Sequence, residues 1–486
     1  MKRLLSMLLL VLMLVSVAVG CAEKPTDVQP TSESQTEAES LDPFDDGVPD
    51  DLTYDGWTFT ITAPWPDDWG IMSYDREETN ADDINDAIYS RNRQIEDRFD
   101  IDIDTLSLGN TGSQTSELQP YIMSNDDMID LIAVGFYQSG AGLIMNDFII
   151  PWNDVPYINP DKPWWNSNIN DTLAILDQRF LIVGDINWFT MPETAVCYFN
   201  KVVAEDFRDL VGNPYETVNK GEWTFNELYK IASDFSADVD GNGKWDTKDR
   251  YGCIQNTIIG VTGFIYAADY HTVKIEDGEP VLNFFTDEMS DIIDYLRDLC
   301  CKDHVSYTET FDFTEDSKGI PMFFENRALY YFDILMHAAT FRNKETDFGI
   351  IPYPKYDELQ EKYASYANQW GLACALPITA GDTERTGAIV EAMSALSRKY
   401  IVPAYYDRVL TNKIARDYES ADMLDIIFDN VIYDYGISFC NDINYLPAKY
   451  FVEHPTAKLA SWYASNETKL YDNYYKVYEH VLDLYG

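Results

Sequence analysis

Apolar and polar positions along the chain alternate between two periods. Over residues 57–62 (WTFTIT) every second residue is apolar, which predicts a strand. Ile84, Ala87, Ile88, Ile95 and Phe99 then recur at three-and-four spacing behind Asp82 or Asp83, which predicts a helix with an aspartate N-cap. Apolar runs at 101–105 and 129–134 predict two more strands, and strand–helix–strand alternation of this kind predicts an α/β layer with a mostly parallel sheet. The most informative stretch is 181–203, LIVGDINWFTMPETAVCYFNKVV. Its two short apolar runs, 181–183 and 195–199, read as buried strands around a loop holding Gly184, Asp185, Asn187, Trp188, Pro192 and Glu193. Pro192 cannot donate to a sheet ladder, so neither strand simply continues through the loop. The plain reading is two strands of one sheet. The bolder reading is a passage from one lobe to another, with Trp188 and Glu193 at the mouth of a cleft.

Downstream, Trp223 and Thr224 precede a predicted helix start at Asn226, and Trp223 reads as structural. A strand is predicted over 251–254 and a helix over 287–303, with Met289, Ile292, Ile293, Leu296 and Leu299 on one face. Further strands are expected at 328–332, 348–351 and 371–376, the last two in the first lobe. A helix surrounds 389–396, Pro403 marks a crossing, and helices over 405–424 and 455–485 close the second lobe. The tyrosines Tyr463, Tyr471, Tyr474, Tyr475 and Tyr478 read as core and rim.

The N-terminus follows a different pattern. Lys2 and Arg3 precede an apolar run over 4–19, the layout of a secretory signal, shorter than the roughly 20 residues a bilayer span needs. Ala18-Val19-Gly20-Cys21 resembles a lipoprotein box, which implies a lipidated Cys21 as mature N-terminus. Residues 22–50 are acidic, Ser/Thr/Pro-rich and poor in large apolar groups, so they read as a disordered linker with a reach of roughly 30 Å.

Length and charge narrow the function. At 486 residues the chain exceeds a single core, so at least two domains are expected. With 35 Lys and Arg against 83 Asp and Glu, the net charge is −48, which excludes a phosphate-backbone partner and electrostatic attraction to anionic lipid. Of the cysteines after Cys21, Cys197, Cys253 and Cys374 lie in apolar runs and read as small buried hydrophobes, and adjacent Cys300 and Cys301 point to different helix faces. No Cys/His spacing fits zinc.

One spacing does fit a metal. From Asp238, oxygen-bearing side chains fall at positions 1, 3, 5, 9 and 12 (Asp238, Asp240, Asn242, Asp246, Asp249), with Gly243 at 6 and the Lys244 carbonyl at 7. This is the pattern of a calcium loop, with Asp249 where a glutamate usually ligates bidentately. The segment that follows reads as a strand, so a lone structural calcium is expected and no catalytic cofactor. Candidate ligand contacts come from loops after predicted strands: Trp65, Asp67, Asp68 and Trp69, then Phe136 and Tyr137. Trp152, Trp164 and Trp165 read as packing residues. The five histidines form no motif, and no HExxH, GxSxG, P-loop or GxGxxG is present.

Several blocks carry a family resemblance: INDAIYSRN at 84–92, the 184–206 loop with CYFNKVVAED, GEWTFNELYKIASD at 221–234, DFGIIPYPKYDELQEKYASY at 347–366 and PAYYDRVLTNKIARDYESADMLD at 403–425. From about residue 52 to the C-terminus the chain resembles family 1 of the bacterial extracellular solute-binding proteins, the carbohydrate-type receptors of ABC importers in Gram-positive bacteria. The resemblance implies a two-lobed, periplasmic-binding-protein-like clamshell of type II, each lobe a mixed sheet flanked by helices. It implies a first lobe of 51–193 plus 336–402 and a second lobe of 194–335 plus 403–486, with Asp333 at the second crossing and Asn368, Gln369 and Trp370 near the cleft. A monomer is expected, exported and held by its lipid at the outer face of the cytoplasmic membrane, binding a sugar or oligosaccharide and serving ABC permease subunits. Tryptophan faces stack on sugar rings and carboxylates accept from their hydroxyls. The alternatives are a surface sensor or adhesin without import, and a glycoside hydrolase, which needs two positioned carboxylates.

Overall fold

The computed structural model describes residues 42–64, 74–108, 112–136, 139–309, 317–341, 344–411, 418–440, 443 and 446–486. The signal stretch and Cys21 lie outside the described residues, and of the unit Met1–Pro43 only residues 42 and 43 are described. The folded body begins at Phe44, ahead of the expected start near 51. The linker expectation therefore fails at its end: Asp46 Oδ2 lies 2.7 Å from Arg98 Nη1, and Val48 is buried in the first core. Composition counts the acids here as solvated, but Asp46 and Asp50 share the Arg98 guanidinium as partner.

Two sheets organise the unit. The first runs β2 (Ile101–Ser107), β1 (Trp57–Ala63), β3 (Leu131–Gly135), β14 (Leu372–Pro377), β4 (Ile149–Ile150), and β5 (Leu181–Ile182) also pairs with β14. β1 is parallel to β2 and β3, whereas β14 is antiparallel to β3, β4 and β5, so the sheet is mixed. Phe59 and Ile61 of β1 are fully buried. The helix Asp83–Phe99 connects β1 to β2; Asp82 caps it by accepting from the Ile84 and Asn85 amides, and Asp100 ends it in the left-handed region.

The second sheet runs β10 (Ser306–Glu309), β7 (Tyr251–Asn256), β11 (Ala328–Ile334), β6 (Ala195–Asn200), β12 (Phe348–Ile351). β7 is parallel to β10 and β11, and β6 is antiparallel to β11 and β12. The helix Phe225–Phe235, capped by Thr224, lies on β7 at Gly252, where any Cβ would collide with the Ala232 backbone. Trp223 is buried and donates to the Pro352 carbonyl at 2.9 Å, the structural role expected for it. Two minor pairs complete the strands: the hairpin β8 (Val273–Glu276) with β9 (Glu279–Leu282), and β13 (Ser365–Tyr366) with β15 (Val431–Ile432).

Leu181–Ile182 and Ala195–Asn200 thus belong to different sheets, so the loop between them is a passage, as the bolder reading has it. The return differs from expectation. Phe348–Ile351 pairs with β6, not with the first sheet, so the second passage is at 352–371 rather than at 333–336. Aromatic packing accounts for this: Phe341 and Phe348 set their rings against Tyr198 of β6 at 5.1 and 5.6 Å. Nor does the chain break at Pro403. One helix, Thr383–Thr411, runs through it with Ile401, Val402 and Tyr405 buried beside the proline, and the next helix, Tyr418–Asp429, packs on β12. The C-terminal helix Leu459–Tyr485 was expected to close the second lobe; it packs on β9 and equally on the first-sheet helix Ser139–Met145, with His480 Nε2 2.8 Å from Asp147 Oδ1. Its tyrosines serve the core and rim: Tyr474 and Tyr478 are buried, and Tyr471 stacks on Tyr475 at 4.7 Å.

All six cysteines of the described residues are free, and Cys197, Cys253, Cys374 and Cys440 are buried. Among the described residues no helix is long and apolar enough to cross a membrane.

The helix Thr383–Thr411 is pinned by one acid. Glu391, fully buried, accepts from the indole N–H groups of Trp164 and Trp165 at 3.0 and 2.9 Å and from the Asn159 amide at 3.1 Å. Glu391→Ala should therefore lower unfolding stability by at least about 2 kcal/mol in urea denaturation, because two buried indole donors and the part-buried Asn159 amide lose their acceptor. An unchanged midpoint would show that the two tryptophans are held by packing alone.

Candidate functional site

The residues before β6 are the meeting point of both passages. The Leu335 amide donates to the Thr194 carbonyl at 2.9 Å and the Met336 amide to the Pro192 carbonyl at 2.8 Å. On the other side the Asn368 amide donates to the Glu193 carbonyl at 2.9 Å, and Thr194 and Ala367 form an antiparallel bridge. The backbone at 192–194 is thus held between 335–336 and 367–368.

Side chains add a buried polar cluster at the same place. Asn368 Nδ2 donates to Glu193 Oε2 at 2.8 Å. Asp333 Oδ2 accepts from the Tyr331 hydroxyl at 3.0 Å, faces Asn256 Nδ2 at 3.4 Å and lies 3.2 Å from His337 Nδ1. Glu193 and Asp333 are each 2% exposed. Burial pushes the Glu193 carboxyl up to about 7, with the Asp333 charge adding to the effect and Asn368 and His337 opposing it. Burial works against a charged His337, but Asp333 and Glu193 outweigh it and raise the imidazole above its ordinary value.

The structure thus brings two candidates, Glu193 and Asp333, into one cluster. Trp370 is half-buried and lies within the turn whose Gly371 amide donates to the Asn368 carbonyl at 2.9 Å. Trp188 sits elsewhere. It lies in the 3₁₀ turn Asp185–Thr190, buried, with its ring 6.1 Å from Tyr405 and 6.2 Å from Phe189. It lines a separate cavity of about 330 Å³ with Trp165, Thr194, Arg398, Tyr406 and Asp425. Neighbours in an extended segment face opposite ways, so Thr194 looks into that cavity while Glu193 looks into the polar cluster. Trp65, Asp67, Asp68, Trp69 and Tyr137 lie outside the described residues.

Tyr331, His337 and Asn256 escaped the sequence reading. A signal existed for two of them: Tyr331, Asp333 and His337 are two and four residues apart across a strand end. Asn256 had none, because it arrives from β7, 77 residues before Asp333.

The acidic loop forms a second feature. Single carboxylate oxygens of Asp238, Asp240 and Asp249 lie within 4.8 Å of one another. Asp238 accepts from the amides of Gly243 at 2.7 Å and Gly241 at 2.8 Å, and these bonds, Gly243 foremost, hold its carboxyl below the usual range. Asp249 is buried and accepts from the Val239 and Asp246 amides at 3.0 and 2.8 Å. Gly241 and Gly243 occupy positive φ, at 65° and 74°. This all-oxygen donor set suits a hard cation.

No protein-family model matches the chain, and no curated protein matches it. Solved structures do. A cyclo/maltodextrin-binding protein complexed with maltotetraose superposes with TM-score 0.56 at 11% identity, covering 87% of this chain and 97% of its own. The GacH receptor of Streptomyces glaucescens, solved unliganded and with acarbose, gives 0.55 at 11% identity over 86% of this chain and 99% of its own. UgpB from Mycobacterium tuberculosis in complex with glycerophosphocholine gives 0.55 at 12% identity over 85% and 97%. The chain therefore has the two-lobed α/β fold of the solute-binding proteins.

Glu193 generates a pH dependence. Its carboxyl keeps a proton in the folded chain between its ordinary value of 4.5 and about 7, where the unfolded chain has released it. The stability this contributes is present at low pH and lost as pH rises through that window; His337, raised as well, acts in the same direction. Glu193→Gln should gain stability relative to the unsubstituted chain between pH 5 and about pH 7, by up to about 1.4 kcal/mol per pH unit, and level off above it. Urea denaturation across that range checks it, and parallel curves would show that Glu193 does not titrate there.

Proposed function

We propose that this chain is the solute-binding receptor of an ABC importer, which captures a sugar or oligosaccharide between its two sheets and presents it to a membrane permease. The observation that carries the reading is the buried Glu193–Asp333–His337–Asn368 cluster, set where the chain passes from one sheet to the other. Carboxylates, amides and an imidazole there can exchange hydrogen bonds with hydroxyl groups, and the flanking Trp370 offers an apolar face. The similar structures solved with maltotetraose and acarbose support a saccharide as the solute class. Closure of two lobes about their connections is the motion such a receptor uses, and the ligand favours the closed form only as far as it binds that form better. On this reading Cys21 carries the lipid that keeps the receptor at the outer face of the cytoplasmic membrane, and the acidic residues after it form the tether.

We further propose that Asp238, Asp240, Asn242, Asp246, Asp249 and the Lys244 carbonyl hold a calcium ion. Its role there is structural: the loop joins the helix Phe225–Phe235 to β7, and the ion neutralises carboxylates drawn into one turn.

A panel of neutral oligosaccharides should contain one that raises the melting temperature of the folded body, since a ligand at 100 times its Kd adds about 2.7 kcal/mol to the native state. A shift with peptides and none with glycans would overturn the saccharide assignment. Separately, chelator should lower the melting temperature and added calcium restore it; indifference to chelator would remove the ion from the loop.

A further inference from the structure

Near the end of the passage at 352–371 stands a buried side chain without a hydrogen-bond partner among the described residues. Gln369 is 1% exposed, yet neither its amide nitrogen nor its amide oxygen has a hydrogen-bond partner among the described residues. The neighbouring Asn368 donates to Glu193, while its own Oδ1 is also buried without a partner among the described residues. Buried polar groups are nearly always paired, so three orphan atoms on two successive residues call for an explanation.

The backbone here is firmly placed, so looseness does not supply one. The Tyr433 hydroxyl donates to the Asn368 carbonyl at 2.6 Å, Gly371 closes the turn onto Asn368, and the Phe136 amide donates to the Gly371 carbonyl at 3.2 Å. The Gln369 backbone N–H itself bonds the buried Tyr366 side chain. Position supplies the explanation. β14 starts at Leu372, opposite Gly135 at the carboxyl end of β3, so Gln369 stands just beyond that end and beside the passage. In open α/β sheets that edge is where ligands bind.

We propose that Gln369 is a specificity residue of the inter-sheet site, its carboxamide kept unpaired by the chain so that the solute completes it. The inference rests on the receptor reading above and narrows the solute. A carboxamide offers a donor and an acceptor side by side and carries no charge. Its complement is a neutral group that can both donate and accept, such as adjacent hydroxyls of a saccharide, with Asn368 Oδ1 ready to take a further O–H. A ligand lacking those groups leaves the amide orphaned and is rejected for that reason.

The test compares the unsubstituted protein with Gln369→Leu, an apolar replacement of similar size, in two independent measurements. In urea denaturation without ligand, Gln369→Leu should be as stable as the unsubstituted protein or more so, because no internal hydrogen bond is lost. A lowered midpoint, or failure to fold, would mean that the amide has a structural partner and would overturn the proposal. In calorimetric titration with maltotetraose, cellotetraose, xylotetraose and mannotetraose, whichever binds the unsubstituted protein should bind Gln369→Leu at least about tenfold more weakly. Equal affinity would overturn the proposal too. If none of the four binds the unsubstituted protein, the saccharide reading is what fails, and the denaturation arm still decides whether Gln369 is held unpaired.

Discussion

Three backbone hydrogen bonds around residues 192–194 hold the architecture together. Chain segments far apart in sequence, 335–336 and 367–368, dock on either side of the same short stretch, each through main-chain amides. Main-chain groups buried at such a junction need partners, and here each segment supplies them for the next. The two sheets are joined by segments paired with one another rather than by independent strings. Relative motion of the sheets must then turn about this junction, because separating the segments would expose paired amides and carbonyls together.

The same junction explains the chemistry. Backbone pairing forces the side chains of Glu193, Asp333 and Asn368 into a small buried volume, where desolvation drives Glu193 toward its neutral form and His337 supplies the compensating charge. A cluster with carboxyl, imidazole and amide groups in low-dielectric surroundings is strongly interacting but chemically adaptable. A buried polar group left without a partner, as the Gln369 carboxamide is among the described residues, costs stability. The cavity at Trp188 and the acidic loop at Asp238–Asp249 lie outside this arrangement and follow their own logic, aromatic packing in one case and oxygen ligation in the other.

Departures from the sequence reading share a cause. The segment Phe348–Ile351 has the pattern of any buried strand, and that pattern does not say which neighbour it pairs with; ring packing against Tyr198 decided it. Pro403 disfavours a helix locally, but burial of the residues around it outweighs the lost hydrogen bond. Val48 and Asp46 sit in a stretch whose composition reads as disordered, yet the Val48 insertion and the pairing of Asp46 and Asp50 with Arg98 order it.

Period and capping were legible without coordinates: the aspartate-capped helix Asp83–Phe99 and the strands Trp57–Ala63 and Ala195–Asn200 follow from local sterics and burial pattern, whereas at Pro192 the pattern admits either two strands of one sheet or a passage between lobes. So was the metal-type spacing from Asp238 to Asp249, which depends on residue type and separation; Glu193 was a candidate from its loop, and Asp333 only through the family resemblance. Tertiary structure alone decided that Asn256 joins Asp333, that Trp188 faces a different cavity from Glu193, and that the Gln369 carboxamide has no partner among the described residues. Each of these is a long-range pairing outcome, and a one-dimensional pattern contains which faces are buried but not which distant groups they meet.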